Sequence, residues 1–527
     1  MAQRRHNFIS GAAVLALAVA VTKVLGALYK IPLGNLLDKE GMAHFYAAYN
    51  IYNLLLVLST AGLPLALSRL VSRAAAQGRR NAQHRIFRTA LALLAVIGAV
   101  CSAVMCLFPQ VLSGLLHDSL AAPAIRVLGP AVLFVCLTSA IRGYTQGLGD
   151  MTPTAVSQMT ESAGKLVIGL ALCLVLLHRG ADSSLCAAGA IAGVTAGSLL
   201  SLTVLTVFVL RRRDRAAVDV PPARSAVLRE LLTVGIPITL GAAGMSLITL
   251  LDQALVMSTL QNTLGYTEAA ATALYGEYTF GMTLFALPPS FIYPVTVSLV
   301  PDISAALARS DRPAAGRSAA AALKLTTLIA LPTGAGLSVL AGPILRLLYP
   351  AVPDTAAAAA YHLTILGIAC IFVCLMVATN GVLQAYGKEY IPVVTLLCGG
   401  ILKIITNYLM VGDPATNVRG APVSTLYCYG LIVVLNLIAI ARCVPERPSY
   451  LHLFARPVLI TAVMALAARS SYGLLSRSLP ERWAVLPAIA VAVVVYGVLV
   501  LALGAVTRQD VLDLPKGEKI ARMLHLH

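Results

Sequence analysis

The chain is poor in charge. Only 12% of its 527 residues are Asp, Glu, Lys or Arg, half of the roughly 25% carried by a soluble globular protein. That shortage excludes a cytosolic globular enzyme and a disordered chain. Aromatics are scarce too, at 6% with a single tryptophan, which argues against an aromatic-rich nucleic-acid reader. The signatures of common enzymes are missing: there is no Walker loop, no H-E-x-x-H, no G-x-S-x-G and no D-x-D. No catalytic residue, metal ligand set or cofactor is therefore expected, and ATP hydrolysis by the chain itself is excluded. The ten cysteines include no C-x-x-C and fall almost entirely inside apolar runs, as small reduced core residues do.

What is abundant is apolar surface. Hydrophobic residues make up 58% of the chain and the mean hydropathy is +0.84. A helix needs about 20 mainly apolar residues to cross the hydrocarbon core of a bilayer. Such runs are found at 7–28, 44–68, 86–108, 122–148, 153–177, 184–210, 228–259, 268–300, 318–342, 356–386, 390–411, 418–442, 455–476 and 483–505. No alternating strand pattern accompanies them, so the expectation is an all-α polytopic membrane protein with about 14 spans. The first run opens on Arg4-Arg5 like a signal peptide but continues through Lys23 to Tyr29, and is read as a retained first helix.

The formal charge of +17 does not point to nucleic acid, because the cations cluster between apolar runs. With the N-terminus inside, 27 Lys and Arg lie on the inner side and 9 on the outer side. That bias places both termini in the cytoplasm and offers attraction for anionic lipid head groups.

An internal duplication follows from repeated motifs. Gly143-x-x-Gln146-x-x-Gly149 recurs as Gly381-x-x-Gln384-x-x-Gly387, and Lys165 recurs as Lys403, all offset by 238. Arg85 and Arg317 are offset by 232, and Tyr49 and Tyr52 match Tyr275 and Tyr278 at 226. The expected organisation is a six-helix lobe at 1–210, a basic linker at 211–227, a second six-helix lobe at 228–443, two additional helices within 444–505, and a cytoplasmic tail at 506–527. Six helices per half make the repeats parallel, related by a pseudo-two-fold axis along the membrane normal, as in many transporters.

Ionisable residues within spans face a cavity or a partner, since an exposed charge at mid-bilayer costs about 2.5–3.5 kcal/mol on insertion scales. Lys23, Glu161, Lys165, Asp252, Glu277 and Lys403 are such residues, with Lys30 near the outer end of the first helix. Glu161 and Lys165 sit four apart on one face and either neutralise each other or serve a substrate. Asp252 and Glu277 pair with lysines, bind a coupling cation, or titrate. Asn50, Asn53 and Asn380 hydrogen-bond sugars or neighbouring helices. The candidate central-cavity set is thus Lys23, Lys30, Asn50, Asn53, Lys165, Asp252, Glu277 and Lys403. Arg142, Gln146, Gln384 and Lys388, flanking the repeated blocks, are candidate gating or interlobe residues.

The segments Thr22-Lys23-Val24-Leu25-Gly26, Gly62-Leu63-Pro64-Leu65-Ala66-Leu67-Ser68-Arg69, the Gln146 and Gln384 blocks, and Leu331-Pro332-Thr333-Gly334-Ala335-Gly336-Leu337 occur in the order seen in MurJ-type flippases. Together they resemble the Gram-positive polysaccharide-exporter branch of the multidrug/oligosaccharidyl-lipid/polysaccharide superfamily, which includes stage V sporulation protein B and YtgP-type proteins. The resemblance implies a V of two six-helix bundles plus two terminal helices that form a groove for a lipid tail. It also implies a cationic central cavity for the diphosphate and sugars of an undecaprenyl-linked cell-wall precursor, in a monomer of the bacterial cytoplasmic membrane. Lys23 matches the helix 1 arginine of that family, while Tyr29 occupies its second basic position, next to Lys30. The Gram-negative pattern's arginines in helices 2 and 8 are replaced by Leu56 and by Met282-Thr283. Coupling to membrane potential or a monovalent cation is implied. A cation-coupled drug exporter using Asp252 or Glu277, and a non-transporting membrane scaffold, are the competing readings.

Overall fold

A computed structural model describes residues 2–211, 219–292, 303–304, 306–307, 309–444 and 450–505. Among the described residues there is no strand. The helices run in order α1 Ala2–Leu36, α2 Lys39–Thr60, α3 Leu63–Ala76, α4 Arg80–Leu107, α5 Pro109–Leu115, α6 Ala122–Gly147, α7 Thr152–His178, α8 Ser183–Arg211, α9 Arg224–Ser258 and α10 Glu268–Phe285. They continue as α11 Arg312–Val339, α12 Ala341–Leu348, α13 Pro353–Ala385, α14 Tyr390–Val411, α15 Gly420–Cys443, α16 Tyr450–Leu475 and α17 Glu481–Ala502.

Twelve stretches of the described helices are long and apolar enough to cross a membrane. Each overlaps one of the fourteen expected spans. The expected span 7–28 lies within α1; the expected span 268–300 begins as α10, which stops at Phe285 before a turn at Ala286, and its residues 293–300 lie outside the described residues. So do 212–218 of the expected linker and the whole expected tail at 506–527. Two short helices, α5 and α12, were not expected. The expected span 44–68 is broken at Gly62, where Pro64 starts α3. Proline is tolerated there because the first turn of a helix has no use for its missing N–H.

The repeated Gly-x-x-Gln-x-x-Gly block is a helix stop. In the first copy Gly149 has φ +84°, its N–H donates to Gln146 O at 2.9 Å, and Asp150 N–H donates to Thr145 O at 3.0 Å. In the second copy Gly387 has φ +70°, its N–H donates to Gln384 O at 2.9 Å, and Lys388 N–H donates to Leu383 O at 2.9 Å. This is the Schellman arrangement, which a left-handed glycine permits without steric penalty.

The chain divides into two compact units, Met1–Thr279 with Val411–Val418, and Phe280–Met410 with Arg419–His527. In the first unit α7 and α8 approach so closely that a Cβ on Gly193 would lie 2.3 Å from Gly169 Cα, and one on Gly197 would lie 2.5 Å from Glu161 O. Small residues at such crossings let helix backbones meet in a bilayer, where no hydrophobic effect drives association. Tyr29 ties α1 to this pair, its hydroxyl donating to Ala190 O at 2.8 Å. The α2–α3 break rests on α9: Gly62 N–H donates to the Thr239 hydroxyl at 3.1 Å.

In the second unit, α16 and α17 dock on α11 and α12. Leu340, Met464, Ala468, Val485 and Ala492 form their shared buried core. The Tyr496 hydroxyl donates to Leu328 O at 2.8 Å, and Arg346 pairs with Glu481 at 3.3 Å.

Candidate functional site

The close α7–α8 contact fixes a polar cluster inside the first unit. Arg142 reaches it from α6, Ser157, Glu161 and Lys165 from α7, and Ser201 from α8. Arg142 Nε donates to Ser157 Oγ at 2.9 Å, and its Nη2 donates to Glu161 Oε2 and to Ser201 Oγ, each at 3.1 Å. The other Glu161 oxygen, Oε1, lies 3.1 Å from Lys165 Nζ. One carboxylate therefore bridges two cations, and the cluster keeps an excess positive charge. Its side chains are mostly enclosed, Arg142 and Glu161 at 13% exposure and Lys165 at 20%.

Next to it, Lys30 Nζ donates to Tyr46 Oη at 3.3 Å and lies 4.8 Å from the Tyr46 ring centre and 5.3 Å from that of Tyr49. Lys30 and Lys165 lie near enough for their charges to repel. Arg142 and Lys165 thus share Glu161, while Lys30 rests on Tyr46 and Tyr49. Such a patch can receive an anion with more than one negative oxygen, since cations already held in place lose little freedom on binding it.

The other expected site residues are distributed as follows. Lys23 is exposed on α1 and enters no ion pair among the described residues. Asn50 donates to Gln253 Oε1 at 2.8 Å and Asn53 to Ser246 Oγ at 3.4 Å, so both bridge α2 to α9. Asp252 is buried on α9. Glu277 pairs with Lys39 at 3.0 Å. In the second unit Lys403 is buried, and its Nζ donates to Thr425 Oγ1 at 3.1 Å. Gln146 donates to Thr154 Oγ1 at 3.2 Å, while Gln384 is exposed and Lys388 half-buried.

Sequence reasoning paired Glu161 with Lys165 by spacing but did not join Arg142, Ser157 or Ser201 to them, because those contacts cross three helices. It also counted Lys39 only as a loop charge. The α2 N-cap at Asp38, whose carboxylate accepts from Gly41 N–H at 2.7 Å, marks where Lys39 enters a helix.

The duplication gives this cluster a reference. At the offset of 238, Arg142, Ser157, Glu161 and Lys165 correspond to Asn380, Thr395, Gly399 and Lys403. There a neutral network holds the helices together. Asn436 of α15 donates to Asn380 Oδ1 at 2.8 Å and to Thr379 Oγ1 at 3.0 Å, and Thr395 Oγ1 donates to Asn436 Oδ1 at 2.8 Å. The second half joins the equivalent helices without the arginine–glutamate pair.

On the cytoplasmic side expected for the linker, Asp219 receives the start of α4. Asn81 N–H donates to Oδ1 at 2.8 Å and Ala82 N–H to Oδ2 at 3.0 Å, and Arg79 donates to Val220 O at 3.0 Å. Desolvation opposes ionisation of Asp219, but the Asn81 and Ala82 amides, and then the Arg79 charge, hold its carboxyl below the usual aspartate range.

The helices adopt the fold of solved transporters of the multidrug/oligosaccharidyl-lipid/polysaccharide superfamily. A solved structure of the lipid II flippase MurJ in an inward closed conformation matches with a TM-score of 0.71 at 15% identity, covering 93% of this chain and 98% of that one. The chain belongs to the polysaccharide biosynthesis protein family, whose profile matches residues 8–307, and the MatE profile matches residues 237–409. Its relatives in Bacillus subtilis (strain 168) include the uncharacterized membrane protein YabM, 27% identical over 99% of this chain and 97% of that one. Stage V sporulation protein B is 24% identical over 84% and 85% of the two chains, and the lipid II flippase MurJ of that organism is 24% identical over 88% of each. The chain is accordingly a multi-pass membrane protein.

Proposed function

We propose that the protein moves an undecaprenyl-diphosphate-linked cell-wall precursor, lipid II or a related polysaccharide intermediate, across the bacterial cytoplasmic membrane by alternating access. The observation that carries this reading is the excess of cations in the first unit. Lys165 and Arg142 share the one carboxylate of Glu161, Lys30 rests on Tyr46 and Tyr49, and a diphosphate head group supplies the missing negative charge. Asn50 and Asn53 hydrogen-bond the glycan when α9 releases them, and Lys23, Asp252 and Glu277 contribute polar lining. The prenyl tail stays in lipid. The names of the sporulation and lipid II flippase relatives support the same substrate class.

In this reading both termini are cytoplasmic and anionic lipids contact the basic inner loops. The membrane potential returns the emptied cationic site, each charge crossing being worth about 2.3 kcal/mol per 100 mV. The test is reconstitution of the full chain in vesicles with a fluorescent lipid II analogue. Protein-dependent movement to the leaflet protected from an external reductant is expected, and protection equal to that of protein-free vesicles refutes the proposal. The MatE match over 237–409 and the buried Asp252 favour one alternative, a cation-coupled drug exporter. It predicts drug sensitivity in a deletion strain with normal distribution of lipid precursors.

A further inference from the structure

Glu161 is held in a way that a structural salt bridge does not require. Each of its oxygens serves a different cation, Oε2 with Arg142 and Oε1 with Lys165, both at 3.1 Å. The two cations are not equivalent. Arg142 is anchored by both Ser157 and Ser201 in addition to Glu161. Lys165 is the more exposed of the two and lies near Lys30. The second half binds its corresponding helices through Asn380, Thr395 and Asn436, with Gly399 in place of the acid. A neutral network therefore suffices to hold such helices together, and the charged pair of Arg142 and Glu161 is more than that task needs.

We infer that Glu161 is a built-in counter-ion that competes with an anionic head group for Lys165, and that Arg142 is the positioning residue that retains Glu161 when Lys165 lets go. In the empty state Lys165 is neutralised by Glu161. A diphosphate draws Lys165 Nζ onto its own oxygens, and Glu161 remains compensated through Oε2 by Arg142, so no acid is left alone in the bilayer. On release Glu161 recaptures Lys165, which keeps affinity low enough for turnover. The exchange makes and breaks only ionic hydrogen bonds and needs no proton. This inference rests on the proposed diphosphate substrate and adds how that substrate is let go.

The test uses the purified full chain, with inorganic pyrophosphate as the binding probe and the fluorescent lipid II analogue as the transport probe. Glu161→Gln keeps a hydrogen-bond acceptor for Arg142 but removes the competing charge. It is expected to bind pyrophosphate about tenfold more tightly, as follows when one charged hydrogen bond ceases to compete, and to transport more slowly. Glu161→Asp, one methylene shorter, keeps the charge and serves should the glutamine variant aggregate. It is expected to stay with Arg142, retreat from Lys165, and tighten binding by a smaller factor. Lys165→Met abolishes the gain in either background. Binding that depends on Lys165 yet is unchanged or weakened in both Glu161 variants overturns the counter-ion inference and leaves the diphosphate reading standing. Absence of any Lys165-dependent pyrophosphate binding in the wild-type protein overturns both.

Discussion

Replacing Arg142 by methionine removes the group that joins α6 to α7 and α8 at the polar cluster. Three contacts go: Ser157 at 2.9 Å, and Glu161 and Ser201 at 3.1 Å. Ser157 already donates to Thr154 O at 2.9 Å, so its hydroxyl is not orphaned. Breaking a buried ion pair by removing one partner costs about 3–5 kcal/mol when the survivor is stranded. Here Glu161 keeps Lys165 at 3.1 Å, so the expected loss is smaller, about 2 kcal/mol for the charged hydrogen bonds. Glu161→Gln is expected to cost about 1 kcal/mol, because the Lys165 amine remains partly accessible. The double variant removes both members of the Arg142–Glu161 pair and leaves only the partly accessible Lys165 without its acid, so its loss should fall short of the sum of the singles by about 1 kcal/mol. Unfolding of the four proteins in mixed micelles, titrated with sodium dodecyl sulfate and followed by circular dichroism, measures this coupling. Additivity to within about 0.5 kcal/mol would refute the bridging role of Glu161.

Gly193→Val is expected to abolish the monodisperse peak in size-exclusion chromatography, because its Cβ would fall 2.3 Å from the Gly169 backbone and prise α7 from α8. A normal elution profile would show that this crossing tolerates separation. The contact of Asp219 with the start of α4 should depend on pH. Its carboxyl is held below its unfolded value, so the contact's stabilisation is complete above the unfolded aspartate value, about 3.9, and is lost as pH falls through the lower folded value. Hydrogen exchange at the Asn81 and Ala82 amides, corrected for its intrinsic pH dependence, should speed up over that acid range, and Asp219→Asn should weaken protection already at neutral pH. Tyr496→Phe removes the bond to Leu328 O and should loosen α17 by about 1 kcal/mol, read as faster proteolysis between α16 and α17 at unchanged helix content.

Much of the fold is legible in the sequence because lipid imposes a simple rule: a crossing segment is apolar and about 20 residues long. Hence α4, α6, α7 and α8 fall where hydropathy puts them. The rule is blind to features set by packing. The kink at Gly62 depends on a hydroxyl, Thr239, supplied from α9. The short helices α5 and α12 are too brief to register as spans. The duplication was visible as a motif, but that Gly149 and Gly387 are left-handed helix stops is a fact of backbone geometry.

The site divides along the same line. The spacing of Glu161 and Lys165 within one helix brings them together, whereas Arg142, Ser157 and Ser201 join them only once α7 and α8 have closed on their glycines. Asn50 and Asn53 carried two readings, and in this conformation their amides bond α9. Lys403 matches Lys165 in sequence, yet its amine bonds a threonine where Lys165 meets a carboxylate. At the position of the acid, Glu161, the second copy has Gly399.

The central claim is that the cations of the first unit recognise the diphosphate of the transported lipid. The most direct measurement is the rate of fluorescent lipid II analogue movement in vesicles carrying the Lys30→Met/Lys165→Met protein, beside wild type and the exposed-site control Arg477→Met. The account predicts that the double variant falls to the protein-free rate while the control moves the lipid as wild type does. Full transport by the double variant, correctly folded and inserted, would contradict it.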